Sequence, residues 1–414
     1  MFGAHWMRGI GLLGLVILLA LPAAAGAQRD SGEEVALAYV WNDTVALADA
    51  EGQPLQTTGP SFSYGQGARL FWTANARTLY IARDDGLYAT GTLGGAAAKL
   101  PGFYSRTLTI SQDGELLYYL ETVSPQEVEN TNGLVAFPLR ELPIQQMDGT
   151  TGRLAGYLGR YEPQASRADL TFAAALYVRD GGLLGPARPN LWASYGPNLF
   201  ATCCFPNPGL GVFNVGTGDF TIYDETFLPG AAAINLTRTY LAGPTTTGAI
   251  RVYDLITGGQ RDYVIEIAGG LGMIERLAWS PDDTSIYILS RYEEEPLVLN
   301  QPPPFALDTR IATIRLYRLN LVNGLIRELA WRPDVYGASS MAATDRYVFA
   351  VVVDPNTKLV EALNSGQIPP GTTSADPALN AYWPSTHLWR VDVMTGVADD
   401  ALDNVWGVTA RPVR

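Results

Sequence analysis

Apolar and polar positions in residues 277–289 fall into two short runs about a polar turn. Leu277-Ala278-Trp279 leads into Ser280-Pro281-Asp282-Asp283, and Ile286-Tyr287-Ile288-Leu289 follows. Such a pattern predicts a tight β-hairpin. A second hairpin is predicted from Ile314 to Leu329, turning at Asn323-Gly324. The four strands make one unit: the first ends in a polar turn, the second is strongly apolar, and the third ends at a Gly-containing turn into the fourth.

Degraded copies of the unit recur along the chain. Arg69 to Leu100 fits almost without insertion. Leu108-Thr109-Ile110 turns at Gln112-Asp113-Gly114 into Leu116 to Glu121, with third and fourth strands expected around Ile144 to Gly159. Further units begin at Asn190, at Ala232 and at Ser339, and Leu170 to Val178 reads as an added strand. A helical period of 3.6 is sustained nowhere after the first 27 residues. Val35 to Val40, Thr44 to Asp49 and Pro54 to Thr58 lack a first strand, and Val405 to Thr409 is a first strand with nothing after it. Pairing the two ends closes a ring without open edges. The expected fold is all-β: residues 28–414 form a single β-propeller of seven four-stranded blades, with six or eight as alternatives.

Residues 279–283, Trp-Ser-Pro-Asp-Asp, and 111–114, Ser-Gln-Asp-Gly, resemble the Trp-Ser-Pro-Asp-Gly repeat of TolB-like and WD40-like (PD40-type) propellers. Thr73-Ala74-Asn75 and Ser194-Tyr195-Gly196-Pro197 depart from it. The resemblance implies a secreted or periplasmic scaffold, or a domain of the kind attached to enzymes. It carries fold further than activity.

In antiparallel blades, the first-to-second and third-to-fourth turns share one face of the disc, and all other connections share the opposite face. The long segments 124–143, 160–189, 292–313 and 356–386 all belong to the second class, so they crowd onto one face. Loops gathered on one face of a repeat array commonly build its binding surface. Pro302-Pro303-Pro304 and Pro369-Pro370-Gly371 stiffen two of them.

Composition narrows the setting. Arg8, an apolar stretch from Ile10 to Leu21 and Ala25-Gly26-Ala27 predict a signal peptide over residues 1–27. No Cys stands at the cleavage point to carry a lipid. The expected location is therefore secreted, periplasmic or extracellular, without a membrane span after cleavage. The net charge is −13, and lysine occurs only at Lys99 and Lys358. That field disfavours nucleic acid.

Catalytic residue types are scarce. After residue 27 the one histidine is His387, so a histidine-rich metal site is excluded, and a Ser-His-Asp triad would have no other base. No nucleophile elbow, phosphate loop or Cys-x-x-Cys is present. His387 follows Tyr382-Trp383-Pro384 at the base of the 356–386 segment; it is either a strand-end residue beside loop aromatics or, with Tyr382 and Trp383, a ligand contact. Cys203-Cys204 is an adjacent pair that could close a vicinal disulfide, stay as buried thiols or bond to another chain. Trp72, Trp192, Trp279 and Trp406 recur at one place in the first strand and are expected to pack between blades.

Glu293-Glu294-Glu295 opens the blade-six insertion and is the acidic run to test for calcium; no cofactor is otherwise expected. Asp282-Asp283 is accounted for by its turn. Two function classes result. The favoured one is a non-enzymatic scaffold holding a protein, ligand or cell-envelope component on its loop face. The other is a propeller hydrolase or lactonase-like enzyme using carboxylates and a metal near the central channel.

Overall fold

The structure, a computed structural model, describes residues 35–59, 69–73, 75–83, 86–91, 96–100, 190–203, 209–214, 220–228, 231–267 and 270–412. Between residues 108 and 178 it describes strands only. The signal peptide expected over residues 1–27, and Cys204, lie outside the described residues.

In chain order, β1 (Leu37–Trp41), β2 (Thr44–Ala48) and β3 (Pro54–Thr58) form a meander. The second sheet is β4 (Arg69–Trp72), β5 (Thr78–Arg83), β6 (Gly86–Gly91) and β7 (Ala98–Leu100). Then come β8 (Leu108–Ile110), β9 (Leu117–Glu121), the paired β10 (Leu134–Phe137) and β11 (Arg140–Pro143), β12 (Arg153–Glu162), β13 (Arg167–Asp169) and β14 (Ala175–Val178). Three regular sheets follow: β15 (Asn190–Tyr195), β16 (Asn198–Cys203), β17 (Gly209–Asn214), β18 (Phe220–Asp224); β19 (Ala233–Ile234), β20 (Tyr240–Pro244), β21 (Ala249–Asp254), β22 (Gln260–Val264); and β23 (Met273–Trp279), β24 (Ser285–Glu293), β25 (Ala312–Asn320), β26 (Ile326–Val335). β27 (Gly337–Ala343), β28 (Tyr347–Val353), β29 (Thr386–Asp392) and β30 (Ala398–Asp403) make the last sheet. The C-terminal β31 (Val405–Ala410) pairs antiparallel with β1, so the chain ends complete one sheet.

The chain is a single all-β propeller. Where seven four-stranded blades were expected, six sheets are four-stranded. The sheet over residues 108–178 is five-stranded. Its β12 pairs with β9 on one edge and with both β13 and β14 on the other, so two short strands divide the outer place. The third strand here is Arg153–Glu162 rather than the expected residues near 144–159, and the added strand predicted at 170–178 is β14. The first strands follow one another as neighbours: β4, β31, β27, β23, β19, β15, β8. They are the innermost strands.

Each twisted blade buries both faces against its neighbours. The second strands therefore read as unbroken apolar runs, as in Tyr347–Val353, where the five interior residues are buried. The outermost strands are largely exposed, as in β30. Trp72 and Trp279 are buried, and Trp406 is partly buried against the layer holding Trp72. Trp279 reaches into the preceding blade: its Nε1 donates to the Ala233 carbonyl at 2.9 Å, and its ring stacks on Tyr240 at 5.9 Å. The side chain of Trp192 lies outside the described residues.

The turn of residues 280–285 has relatives that the motif alone did not reveal. Ser280 N donates to Ser285 O, and Asp283 N to Ser280 O. The same pair of bonds joins Thr73, Thr78 and Ala76 in the second sheet, and Asn235, Tyr240 and Arg238 in the fifth. The last turn residue is left-handed in all three, at Ala76 (φ 59°), Arg238 (φ 60°) and Asp283 (φ 57°). The family motif places glycine there because positive φ is easiest for glycine. Here three residues with side chains take the conformation, so the geometry survives where the letters have drifted.

One helix departs from the expected pattern. α1 (Thr357–Asn364) lies in the insertion between β28 and β29 and buries Leu359, Val360, Ala362 and Leu363. Two turns are too short to register as a sustained 3.6-residue period. No helix among the described residues is long and apolar enough to cross a membrane.

Candidate functional site: the capped loop face

The insertions over residues 292–313 and 356–386 pack on each other. The first starts as a continuation of its hairpin, with Glu294 N donating to Ile311 O at 3.0 Å and Leu297 N to Thr309 O at 2.7 Å. The second carries α1 and a 3-10 turn over Pro377–Ala381. Leu359, Ala362, Leu363, Ile368 and Leu379 are buried in a separate apolar cluster, against which Leu299, Phe305, Leu307, Tyr382 and Trp383 pack. Phe305 and Trp383 lie 6.4 Å apart. Polar bonds fix the same register: Asn300 N donates to Asn364 Oδ1 at 2.8 Å, and Asn364 Nδ2 donates to Val298 O at 2.9 Å. Asn356 Nδ2 donates to the Asp308 carbonyl at 2.8 Å. A shared apolar core and matched polar contacts make the two loops one cap.

His387 holds the neck of this cap. Its Nδ1 faces Asp403 Oδ1 at 2.7 Å and its Nε2 faces Asp354 Oδ2 at 3.1 Å. Asp354 begins the insertion and His387 stands just after its return, while Asp354 N donates to Ser385 O at 3.0 Å. Burial alone would lower the imidazole pKa, but the two carboxylates outweigh it and raise it above the ordinary 6.5. Both ring nitrogens are thus engaged in joining the strands. Tyr382 and Trp383, expected as ligand contacts, are half-buried and face the cap core.

Glu293, Glu294 and Glu295 are exposed on the cap's outer flank. They do not converge: Glu293 accepts from Arg291 Nη2 at 3.2 Å, and Glu294 accepts from the Thr313 hydroxyl. Among the described residues no group of three or more His, Cys, Asp or Glu side chains is placed to hold a metal. Beside Glu294 lies a groove of about 400 Å³ lined by Tyr292, Thr313, Arg315, Glu328 and Trp331. Arg315 sits 5.0 Å over the Tyr292 ring, and Trp331 is 60% exposed. Asp308 ties the cap to the disc, accepting from Arg310 Nη2 at 2.6 Å and from the Tyr336 hydroxyl at 3.0 Å.

Between the β23–β26 and β27–β30 sheets, a pocket of about 360 Å³ is lined by Glu275, Arg276, Arg291, Tyr336 and Val353. A bulge at Glu275 interrupts the pairing of β23 with β24. The Glu275 side chain bridges the blades, accepting from Arg291 Nη1 at 2.5 Å and from Ala338 N at 2.9 Å. Sequence reading missed this pair because a bulge leaves no local signature and its partners come from three strands.

Of the other predicted features, Cys203 ends β16, and the state of Cys203-Cys204 falls outside the described residues. The segment 124–143 is described only at β10 and β11, and 160–189 only at its strands.

No protein-family model matches the sequence, and no curated protein matches it. Similar solved structures include the β-propeller domain of Cps50 (Swd1) from Myceliophteria thermophila, at 12% identity and TM-score 0.42 over 82% of this chain and 87% of that one. An oligogalacturonate lyase in complex with manganese is 12% identical, with TM-score 0.41 over 80% of this chain and 74% of that one. TolB from Acinetobacter baumannii is 11% identical, with TM-score 0.37 over 70% of this chain and 62% of that one. TolB and WD40 propellers, the families the 279–283 motif resembles, are thus among the chain's structural neighbours.

Proposed function

We propose that this protein is an exported, non-enzymatic β-propeller whose capped loop face binds a protein or another cell-envelope component. The observation that carries this reading is the joining of two insertions into one cap with its own core. Loops that are merely tolerated need no shared core, whereas a binding surface gains from rigid support. The leader over residues 1–27 supports export to the periplasm or exterior, and the net charge of −13 makes nucleic acid an unfavourable partner. In this reading the five-stranded sheet is the ring's seventh unit, since its β8 lies beside β15 in the inner circle. The carboxylate-and-metal enzyme lacks support from any acidic cluster among the described residues.

The test is site-specific photo-crosslinking in the native envelope. Probes at Val298 and Glu295 on the cap are compared with probes at Thr257 and Asn323, which lie in turns of the opposite face. A discrete adduct from cap positions alone is expected. Equal labelling from both faces, or none from the cap, rejects the assignment.

A further inference from the structure

The central channel is a cavity of about 490 Å³ walled by first strands of several blades. Its chemistry is unlike that of the rest of the molecule. Arg69, Arg238 and Arg276 line it, and among its described lining residues there is no Asp or Glu. A chain of net charge −13 has thus gathered guanidinium groups from three blades around one cavity and kept carboxylates off its described walls. Arg69 opens β4, Arg238 occupies the left-handed end of the β19–β20 turn, and Arg276 follows the bulge in β23. Arg276 donates Nε to Ser339 O at 2.9 Å and Nη1 to Glu275 O at 2.6 Å, so carbonyls hold it in place while the nearby Glu275 carboxylate offsets part of its charge. The remaining wall mixes apolar residues, Phe71, Trp72 and Trp279 among them, with Asn235, Ser339, Ser340 and Thr409.

We infer that this channel is a binding site for a small organic anion, a carboxylate or a phosphate ester on an apolar body, gripped by Arg69, Arg238 and Arg276. The volume is in the range of small-molecule sites. Guanidinium forks recognise both oxyanion classes in bidentate fashion. The cations also disfavour one another: burial lowers the Arg69 pKa, and burial together with the Arg69 charge lowers that of Arg238 to about 10. An anion beside Arg69 would offset the burial of its charge and the repulsion it shares with Arg238.

The experiment titrates the full folded chain with inorganic phosphate, with citrate, and with sodium chloride at matched ionic strength. Intrinsic fluorescence is followed, since Trp72 and Trp279 line the cavity, together with the melting temperature. Phosphate or citrate is expected to give a saturable fluorescence change and a higher melting temperature than chloride. A response to citrate alone assigns a carboxylate site, one to phosphate alone a phosphate site, and one to both an oxyanion site. Arg69→Gln should weaken the response about tenfold or more, the loss expected for one charge-assisted contact. It should also melt higher than the parent in anion-poor buffer, because one of two mutually repelling cations is gone. Arg238→Gly, which suits its positive φ, should weaken the response as well, giving a second folded variant. A response equal to that of chloride, or unchanged in both variants, overturns the inference.

Discussion

Removing Arg291 should destabilise the ring by unpairing Glu275, the buried carboxylate that bridges two blades. Arg291 and Glu275 each expose only 6% of their side chains, and Glu275 also receives the amide of Ala338 at the start of β27. Arg291→Ala would leave a buried carboxylate with one backbone donor. Breaking a buried pair from one side costs about 3–5 kcal/mol, far more than a surface pair. Unfolding entropy scales at about 2.1 cal/mol/K per residue, so a 414-residue chain melting as one unit loses roughly 3–6 °C. Differential scanning calorimetry of Arg291→Ala against the parent measures this. The double variant Glu275→Leu, Arg291→Met should recover most of the loss, because no charge is then left unpaired. A single variant that melts within about 1 °C of the parent, or a double variant no better than the single, would refute the assignment of this pair as a buried blade weld.

Three further outcomes follow from the same geometry. Gly337→Ala should destabilise comparably, since a Cβ there would lie 2.6 Å from Glu275 Oε1; chemical denaturation reads it, and an unperturbed midpoint would count against the contact. Trp279→Ala removes a buried ring and a cross-blade hydrogen bond and should cost about 3–5 kcal/mol; a loss below about 1 kcal/mol would contradict the blade register. His387 has a raised pKa in the fold, so its stabilising contribution is complete below the ordinary value of 6.5 and disappears as pH rises through the folded value. Melting curves of the parent and His387→Gln at several pH values should therefore converge as pH rises, and proteolysis at the 354–385 neck should quicken in the parent over the same interval. A gap between the curves that widens with pH would reverse the sign and sink the argument.

Local chemistry carried most of the architecture into plain sight. Alternating apolar runs and Asp- or Gly-bearing turns marked the strands, and the orphan strand Val405–Thr409 announced ring closure with Val35–Val40 because an unpaired edge is unfavourable. Antiparallel parity also predicts a shared face for the segments 292–313 and 356–386. These features depend on neighbours a few residues apart, or on counting strands.

Tertiary structure alone decided what lies where blades meet. The turns at Thr73 and Asn235 repeat the Ser280 turn in their hydrogen bonds while sharing few of its letters, so the hidden copies emerge only from backbone geometry. Phe305 and Trp383 meet across separate insertions, and His387 lies between Asp354 and Asp403 because strand pairing carries them to one neck. Arg69, Arg238 and Arg276 are far apart in sequence, yet two first strands and one turn between strands bring them to a common cavity. A period along the chain fixes which face a residue takes within its own blade; which residues of other blades share its surroundings depends on the angle between blades, and that angle is set by packing.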